Sequence, residues 1–192
     1  GVLYTDKGAT PWPGLISVTE TPSGGEPKAY YQDGIKYVNR VGPEEFEATL
    51  QAFYSPEEFD QCDGTATFGT GLLVTEQPRK KFNLSYRTLI GNDVAGISYG
   101  YKIHLIYNAR ALPSEKNYET LSDSPNPVNL SWKITTSPVF MPGLRPSSHI
   151  VIDSTKLHPE TILMFEDILY GNDQNEARMP EPQELLKIFS LS

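Results

Sequence analysis

The sequence predicts a mainly β protein of the α+β kind: an antiparallel β-sandwich or barrel with one packed α-helix and a short C-terminal helix. Sixteen prolines and fifteen glycines divide the 192 residues into pieces of strand length. Several pieces alternate apolar and polar residues with the two-residue period of a strand. Only two segments, both near the C-terminus, have helical spacing. Because no internal repeat or low-complexity linker interrupts the pattern, we expect a single domain over residues 1–192.

The strands are predicted in chain order from alternation and turn signals. The first covers residues 15–20. A β-hairpin follows between 30 and 38, because Asp33-Gly34 tolerates the positive φ angles of a type I′ turn. In residues 45–53 the apolar side chains fall on one face and the polar ones on the other. Further strands are predicted at 81–89, at 99–109, around Trp132 and at 149–152.

Two helices are predicted after the last strand. The first spans residues 159–170, ends at Gly171 as a left-handed αL stop, and carries one apolar stripe. The stripe consists of Ile162, Leu163, Phe165, Ile168 and Leu169. The second spans residues 182–189, with a proline at its start and Leu185, Leu186 and Phe189 grouped on one face.

Composition excludes several classes of function. The net charge is −8, so the chain lacks the basic balance with which proteins replace the counterions of nucleic acids. No stretch has the length of apolar sequence that a membrane helix requires, and no secretory signal is visible. Cys62 is the single cysteine, so no internal disulfide can form, which fits synthesis in a reducing cytoplasm.

No catalytic residue, metal site or cofactor is predicted. Gly96-Ile97-Ser98-Tyr99-Gly100 matches the pattern of a hydrolase nucleophile elbow, which needs a strand-to-helix turn. Here the pattern runs into an alternating segment that predicts a strand, so a hydrolase using Ser98 stays only an alternative. His104, His149 and His158 lack metal-ligand spacing, and a structural role is predicted for each.

One strand face and two loops are the candidate functional features. The polar face of residues 45–51 carries Glu45, Glu47, Thr49 and Gln51, in which every ionisable group is acidic. Such a face is either simply solvated or lines a channel that repels phosphate. The Gly- and Thr-rich loop at 62–79 and the proline-containing loop at 111–127 are long for a compact domain, and we expect them to contact neighbouring subunits.

Several phrases, in order along nearly the whole chain, resemble the major tail tube proteins of siphophages, the bacteriophages with long non-contractile tails, particularly those infecting actinobacteria. They include Pro11-Trp12-Pro13-Gly14-Leu15, Tyr86-Arg87-Thr88-Leu89-Ile90-Gly91-Asn92-Asp93, Gly100-Tyr101-Lys102-Ile103-His104-Leu105, Pro113-Ser114-Glu115-Lys116, Ser122-Asp123-Ser124-Pro125 and Ile152-Asp153-Ser154-Thr155-Lys156. Their common order along the chain carries the resemblance.

The resemblance implies a structural virion subunit that forms hexameric rings stacked into a hollow tail tube. It implies assembly in the bacterial cytoplasm along a tape-measure protein, contacts with tail terminator and distal tail proteins, and passage of DNA through the lumen without specific binding. We also expect that a short segment precedes Gly1. We expect no appended immunoglobulin-like domain of the kind that some tail tube proteins carry. A capsid decoration or baseplate component, or a carbohydrate-binding module, stays an alternative.

Overall fold

The computed structural model describes residues 1–25, 27–32, 35–41, 44–92, 96–116 and 129–190. Antiparallel β-strands are the main secondary structure of the described residues, as predicted. The strands are β1 (Val2–Thr5), β2 (Gly8–Pro11), β3 (Leu15–Glu20), β4 (Ser23–Gly24), β5 (Pro27–Gln32), β6 (Ile35–Val41), β7 (Glu44–Glu45), β8 (Glu47–Ala52), β9 (Ala66–Thr67), β10 (Leu73–Val74), β11 (Phe82–Asn92), β12 (Gly96–Ala111), β13 (Leu130–Thr136) and β14 (His149–Asp153). The helices are α1 (Glu57–Asp60), α2 (Pro159–Tyr170) and α3 (Pro182–Ser190).

Eight strands form one sheet in the order β2-β1-β11-β12-β13-β8-β3, with β14 paired to β12 off this path. The sheet curls so far that β3 comes beside β11, where the Tyr86 hydroxyl donates to Glu20 Oε1 at 2.8 Å. The predicted hairpin is present as β5 and β6, paired from Gln32 and Ile35 outward. Its Asp33-Gly34 turn lies outside the described residues. No helix in the described part of the chain is long and apolar enough to cross a membrane.

The central strand β12 packs on both of its faces, and it changes phase at Asn108. Ile103, Leu105 and Tyr107 belong to one core, whereas Ile106 and Ala109 belong to the other. Alternation alone would place Ala109 with Tyr107. Asn108 has a φ of 50°, a left-handed value that asparagine tolerates, and its N–H donates to Asn83 Oδ1 at 2.8 Å.

The first core lies inside the curl of the sheet. Trp12, Phe59 and Trp132 meet at its centre, with ring centroids 4.7 to 5.7 Å apart. Buried apolar side chains of this size each contribute about 1.5–3 kcal/mol relative to exposure. Ala48, Leu50 and Ala52 close the core from β8, as the alternation predicts.

The second core lies between the outer face of the sheet and the two predicted helices. Phe165 and Leu169 of α2 and Leu185 of α3 pack against β12 and β14. Tyr4 Oη donates to the Leu169 carbonyl at 2.6 Å and so joins β1 to the end of α2. The predicted α2 stripe is too wide: Leu163 is 61% exposed, because it lies one residue beyond Ile162 and points away from the sheet.

Three other predictions need correction. The strand expected at 45–53 divides at Phe46, whose ring packs on His149 with a centroid distance of 4.5 Å. Gly171 has the predicted positive φ of 77°, but its ψ of 167° is extended rather than αL. The chain then folds back so closely that a Cβ would lie 2.7 Å from Ala177 N, which only glycine avoids. Strands β1 and β2 lie where the sequence predicts no element.

Candidate functional site

The candidate lumen residues on β8 share one polar face with the two neighbouring strands. Thr49 is paired with Thr19 of β3 and with Lys133 of β13, and Gln51 accepts a hydrogen bond from Ser17. Glu47 pairs with Lys133 at 2.8 Å, and this contact, the largest cause, lowers the pKa of the Glu47 carboxyl. Lys133 therefore offsets part of the acidic charge that the β8 sequence carries.

Glu45, the fourth candidate, lies on a different element. It is exposed on the two-residue strand β7, which pairs with β4, and not on β8. The structure thus places Glu47, Thr49 and Gln51 on one strand and Glu45 on the preceding short strand, where its partner Ser23 donates a hydrogen bond to Glu47. That this face lines a channel stays a prediction.

The loop at 62–79 carries an exposed apolar tip. Its strands β9 and β10 form a small hairpin, in which the Phe68 N–H donates to the Leu72 carbonyl at 2.8 Å. We call residues 66–74 the apolar hairpin. Four large side chains there are 40% to 74% exposed: Phe68, Leu72, Leu73 and Val74. Side chains of this kind are usually covered by a partner when they occur as a contiguous patch.

The second predicted loop, at 111–127, is described only as far as residue 116. Lys116 forms an ion pair with Asp63, and Arg79 Nη1 donates to the Ala111 carbonyl at 3.3 Å. The bases of the two loops are therefore connected to each other. The sequence predicts both loops but not this connection.

Two of the three histidines meet a carboxylate in an arrangement that the sequence analysis does not predict. His104 Nδ1 lies 3.1 Å from His149 Nε2, and Glu20 Oε1 lies 3.7 Å from the first and 3.8 Å from the second. We call Glu20, His104 and His149 the histidine cluster. Glu20 ends β3, His104 lies in the middle of β12 and His149 begins β14.

Aromatic and polar neighbours hold the rings of the histidine cluster. Tyr86 stacks on His104 at 4.5 Å with an interplanar angle of 10°, and Phe46 covers His149. Thr88 Oγ1 lies 3.0 Å from His104 Nε2. The two histidine side chains are only 12% and 14% exposed. Burial is the largest cause that lowers the pKa of each imidazole, which favours the neutral form.

The remaining residues of interest are separate from this cluster. His158 is exposed at the N-cap position of α2, in agreement with the predicted place beside a helix start, and its side chain makes no capping hydrogen bond. The segment from Gly96 to Gly100 lies within β12, so Ser98 is on a strand and not at a strand-to-helix turn. Cys62 is buried in the first core.

Comparison with known proteins gives matches among solved structures. No family model matches the chain, and no curated protein is significantly similar to it in sequence. One of the matching solved structures is the cryo-EM structure of an extracellular contractile injection system, the PVC sheath-tube complex in the extended state. The match covers 79% of this chain and 87% of the other, with 14% identity and a TM-score of 0.38.

Proposed function

We propose that the protein is a structural tube subunit that assembles into hexameric rings, stacked into the tail tube of a siphophage. The apolar hairpin is the observation that carries the proposal. Phe68, Leu72 and Leu73 are each more than half exposed in the single chain. Ring or tube formation would bury the exposed part of these side chains against a second copy, and each would stabilise the contact by roughly half or more of the about 1.5–3 kcal/mol that full burial gives.

The open edges of the sheet support the same proposal. Within the described residues, β2 and β3 end the strand order and β14 pairs only with β12. Unpaired strand edges promote aggregation of a monomer, but they become joining surfaces when copies close into a ring. The short β-strands of the apolar hairpin add a further edge that can pair with a neighbour.

The lumen role is the finer part of the proposal. In it, the polar residues Glu45, Glu47, Thr49 and Gln51 line the channel, and phosphate groups of passing DNA are repelled and not held. The overall charge of −8 supports this, because every subunit adds acidic charge to the wall or its surroundings. Tape-measure, terminator and distal tail proteins would then be the partners at the two ends of the tube.

Negative-stain electron microscopy of the purified chain tests the proposal. We expect tubes with a central hole at high protein concentration. The double variant Phe68→Ser/Leu73→Ser should remain folded by circular dichroism but give only monomers or isolated rings. Leu163→Ser is the matched control, since it removes an equally exposed leucine from α2 and should leave the tubes intact.

Two results would contradict the proposal. Discrete closed oligomers without stacking would favour the capsid decoration or baseplate alternative. Normal tubes from the double variant would show that the apolar hairpin is not the joining surface, even if the subunit does form tubes.

A further inference from the structure

We propose that the histidine cluster is a binding site for a divalent transition metal of the zinc class, with Glu20 Oε1, His104 Nδ1 and His149 Nε2 as ligands. The three atoms belong to three different strands and converge on one point. This proposal is independent of the proposed tube function.

The spacing of the three atoms fits such an ion. They form a triangle with sides of 3.1, 3.7 and 3.8 Å. A point about 2.1 Å from all three atoms lies in the plane of this triangle, which is the length of zinc bonds to imidazole nitrogen and carboxylate oxygen. For the ion to enter, the hydrogen bond between His104 Nδ1 and His149 Nε2 has to break and both rings have to turn toward Glu20.

The two imidazole nitrogens face each other across the site: the ring planes differ by 14°, the ring centroids are 5.3 Å apart, and His104 Nδ1 lies 3.1 Å from His149 Nε2. Thr88 Oγ1 lies beside Nε2 of His104, so the N–H of this ring can be placed there, which leaves Nδ1 as an acceptor for His149 or for the ion. Tyr86 stacks on His104, and Phe46 packs on His149 with the two ring planes tilted by 37°. These contacts keep both rings at the site.

The Glu20 carboxylate accepts a hydrogen bond from a residue outside the ligand set, as metal-binding carboxylates usually do. Tyr86 Oη donates to Glu20 Oε1 at 2.8 Å while its ring stacks on His104, so one residue positions two ligands. Glu20 is 39% exposed, and His149 lines an open groove together with Phe46 and Ser147. A hydrated ion therefore has access, and water can complete the coordination.

Two histidines and one glutamate with a free position suit zinc, cobalt, nickel or copper ions better than calcium or magnesium, which prefer oxygen ligands. The ion would connect the end of β3, an edge strand, to β12 in the middle of the sheet and to β14, which pairs with β12. We therefore expect it to fasten the curl of the sheet, and to stabilise the folded state in proportion to its affinity.

The test uses the full chain, free of any affinity tag and treated with EDTA. Isothermal titration with ZnCl₂ should give one ion per chain and raise the thermal midpoint, and Co²⁺ should give the visible bands of a site with nitrogen ligands. Glu20→Gln and His149→Asn should each weaken Zn²⁺ binding at least tenfold. Tyr86→Phe keeps the ring stack but loses the hydroxyl, and should weaken binding by about tenfold.

Two control variants separate this site from other zinc ligands. His158→Gln removes an exposed histidine outside the cluster, and Cys62→Ser removes the thiol; both should bind Zn²⁺ like the unchanged chain. The proposal is overturned if the unchanged chain takes up no Zn²⁺. It is equally overturned if Glu20→Gln and His149→Asn, folded by circular dichroism, bind as tightly as the unchanged chain, or if Cys62→Ser abolishes binding.

Discussion

Asp63 and Lys116 form an ion pair that joins the bases of the two long loops, one at 62–79 and the other beginning at Ala111. The Asp63 side chain is buried, and Arg79 Nη1 lies 3.4 Å from its second carboxylate oxygen. Arg79 also donates to the Ala111 carbonyl. A single buried carboxylate thus holds both ends of one loop and the start of the other, and it sets where the apolar hairpin projects from the sheet.

Asp63→Asn should lower the free energy of unfolding by about 2 kcal/mol, because it leaves two cationic groups around a neutral amide. Lys116 and Arg79 are partly exposed, so hydration of their charges limits the loss of stability. Urea unfolding measures the change in the free energy of unfolding. Asp60→Asn is the matched control: burial is the largest cause that raises the pKa of Asp60, so loss of that charge should be neutral or stabilising. Equal destabilisation by both variants would contradict the role of Asp63.

The two buried tryptophans should respond differently to the same substitution. Trp12 Nε1 donates to the Tyr54 carbonyl at 2.6 Å, whereas Trp132 Nε1 is buried without a hydrogen-bond partner among the described residues. Both rings are essentially fully buried, so Trp→Phe removes similar apolar area. We expect Trp12→Phe to cost about 1–2 kcal/mol more than Trp132→Phe, because only the first loses a hydrogen bond.

Urea unfolding of the two variants measures this difference, with the unchanged chain as the reference. An equal or larger loss for Trp132→Phe would mean that the Trp12 hydrogen bond contributes nothing to stability.

Alternation predicted β8, which buries one face, and failed for the short strand β1, which buries both. On β8, Ala48, Leu50 and Ala52 are buried and the residues between them are not, so the period is visible in the sequence. On β1, adjacent Leu3 and Tyr4 enter different cores. In the sequence such a strand is a short apolar run without a two-residue period. For this reason the sequence predicts no strand at β1.

The histidine cluster could not be predicted because its members are brought together by strand pairing and not by spacing. His104 pairs with Val151, which places His149 two residues away on the same face of β14. Glu20 lies beside the two histidines only because the sheet curls until β3 is next to β11. Neither the register nor the curl can be read from three isolated residues. The polar residues on β8, by contrast, share one strand, and their common face could be predicted.

Cys62 should be unreactive in the folded protein. Burial, the largest cause, raises the pKa of its thiol to about 12, so almost no thiolate is present at pH 8. We expect alkylation by iodoacetamide at pH 8 to be at least about a hundredfold slower in the native chain than in urea. Thr67→Cys places a second thiol on the exposed apolar hairpin and is the positive control. Rapid labelling of native Cys62 would contradict its buried position.

Adding positive charge to the candidate lumen face should slow the passage of DNA, and the effect should depend on salt concentration. Glu47 is left unchanged, because it is paired with Lys133 and a lysine there would also disturb the sheet. Glu45→Lys/Gln51→Lys changes two exposed positions instead. If they face the channel, the new cations bind passing phosphates, and DNA ejection from assembled particles slows by roughly an order of magnitude at low salt.

The matched control is Glu160→Lys/Gln174→Lys, which adds the same charge at exposed positions on α2 and after it. Screening shortens the range of these interactions as salt increases, so the ejection rate of the lumen variant should approach that of the unchanged particle at high salt. The control should eject DNA at the normal rate at every salt concentration. Equal slowing of both variants would indicate a general effect of charge, and unchanged rates for the lumen variant at low salt would place these residues outside the channel.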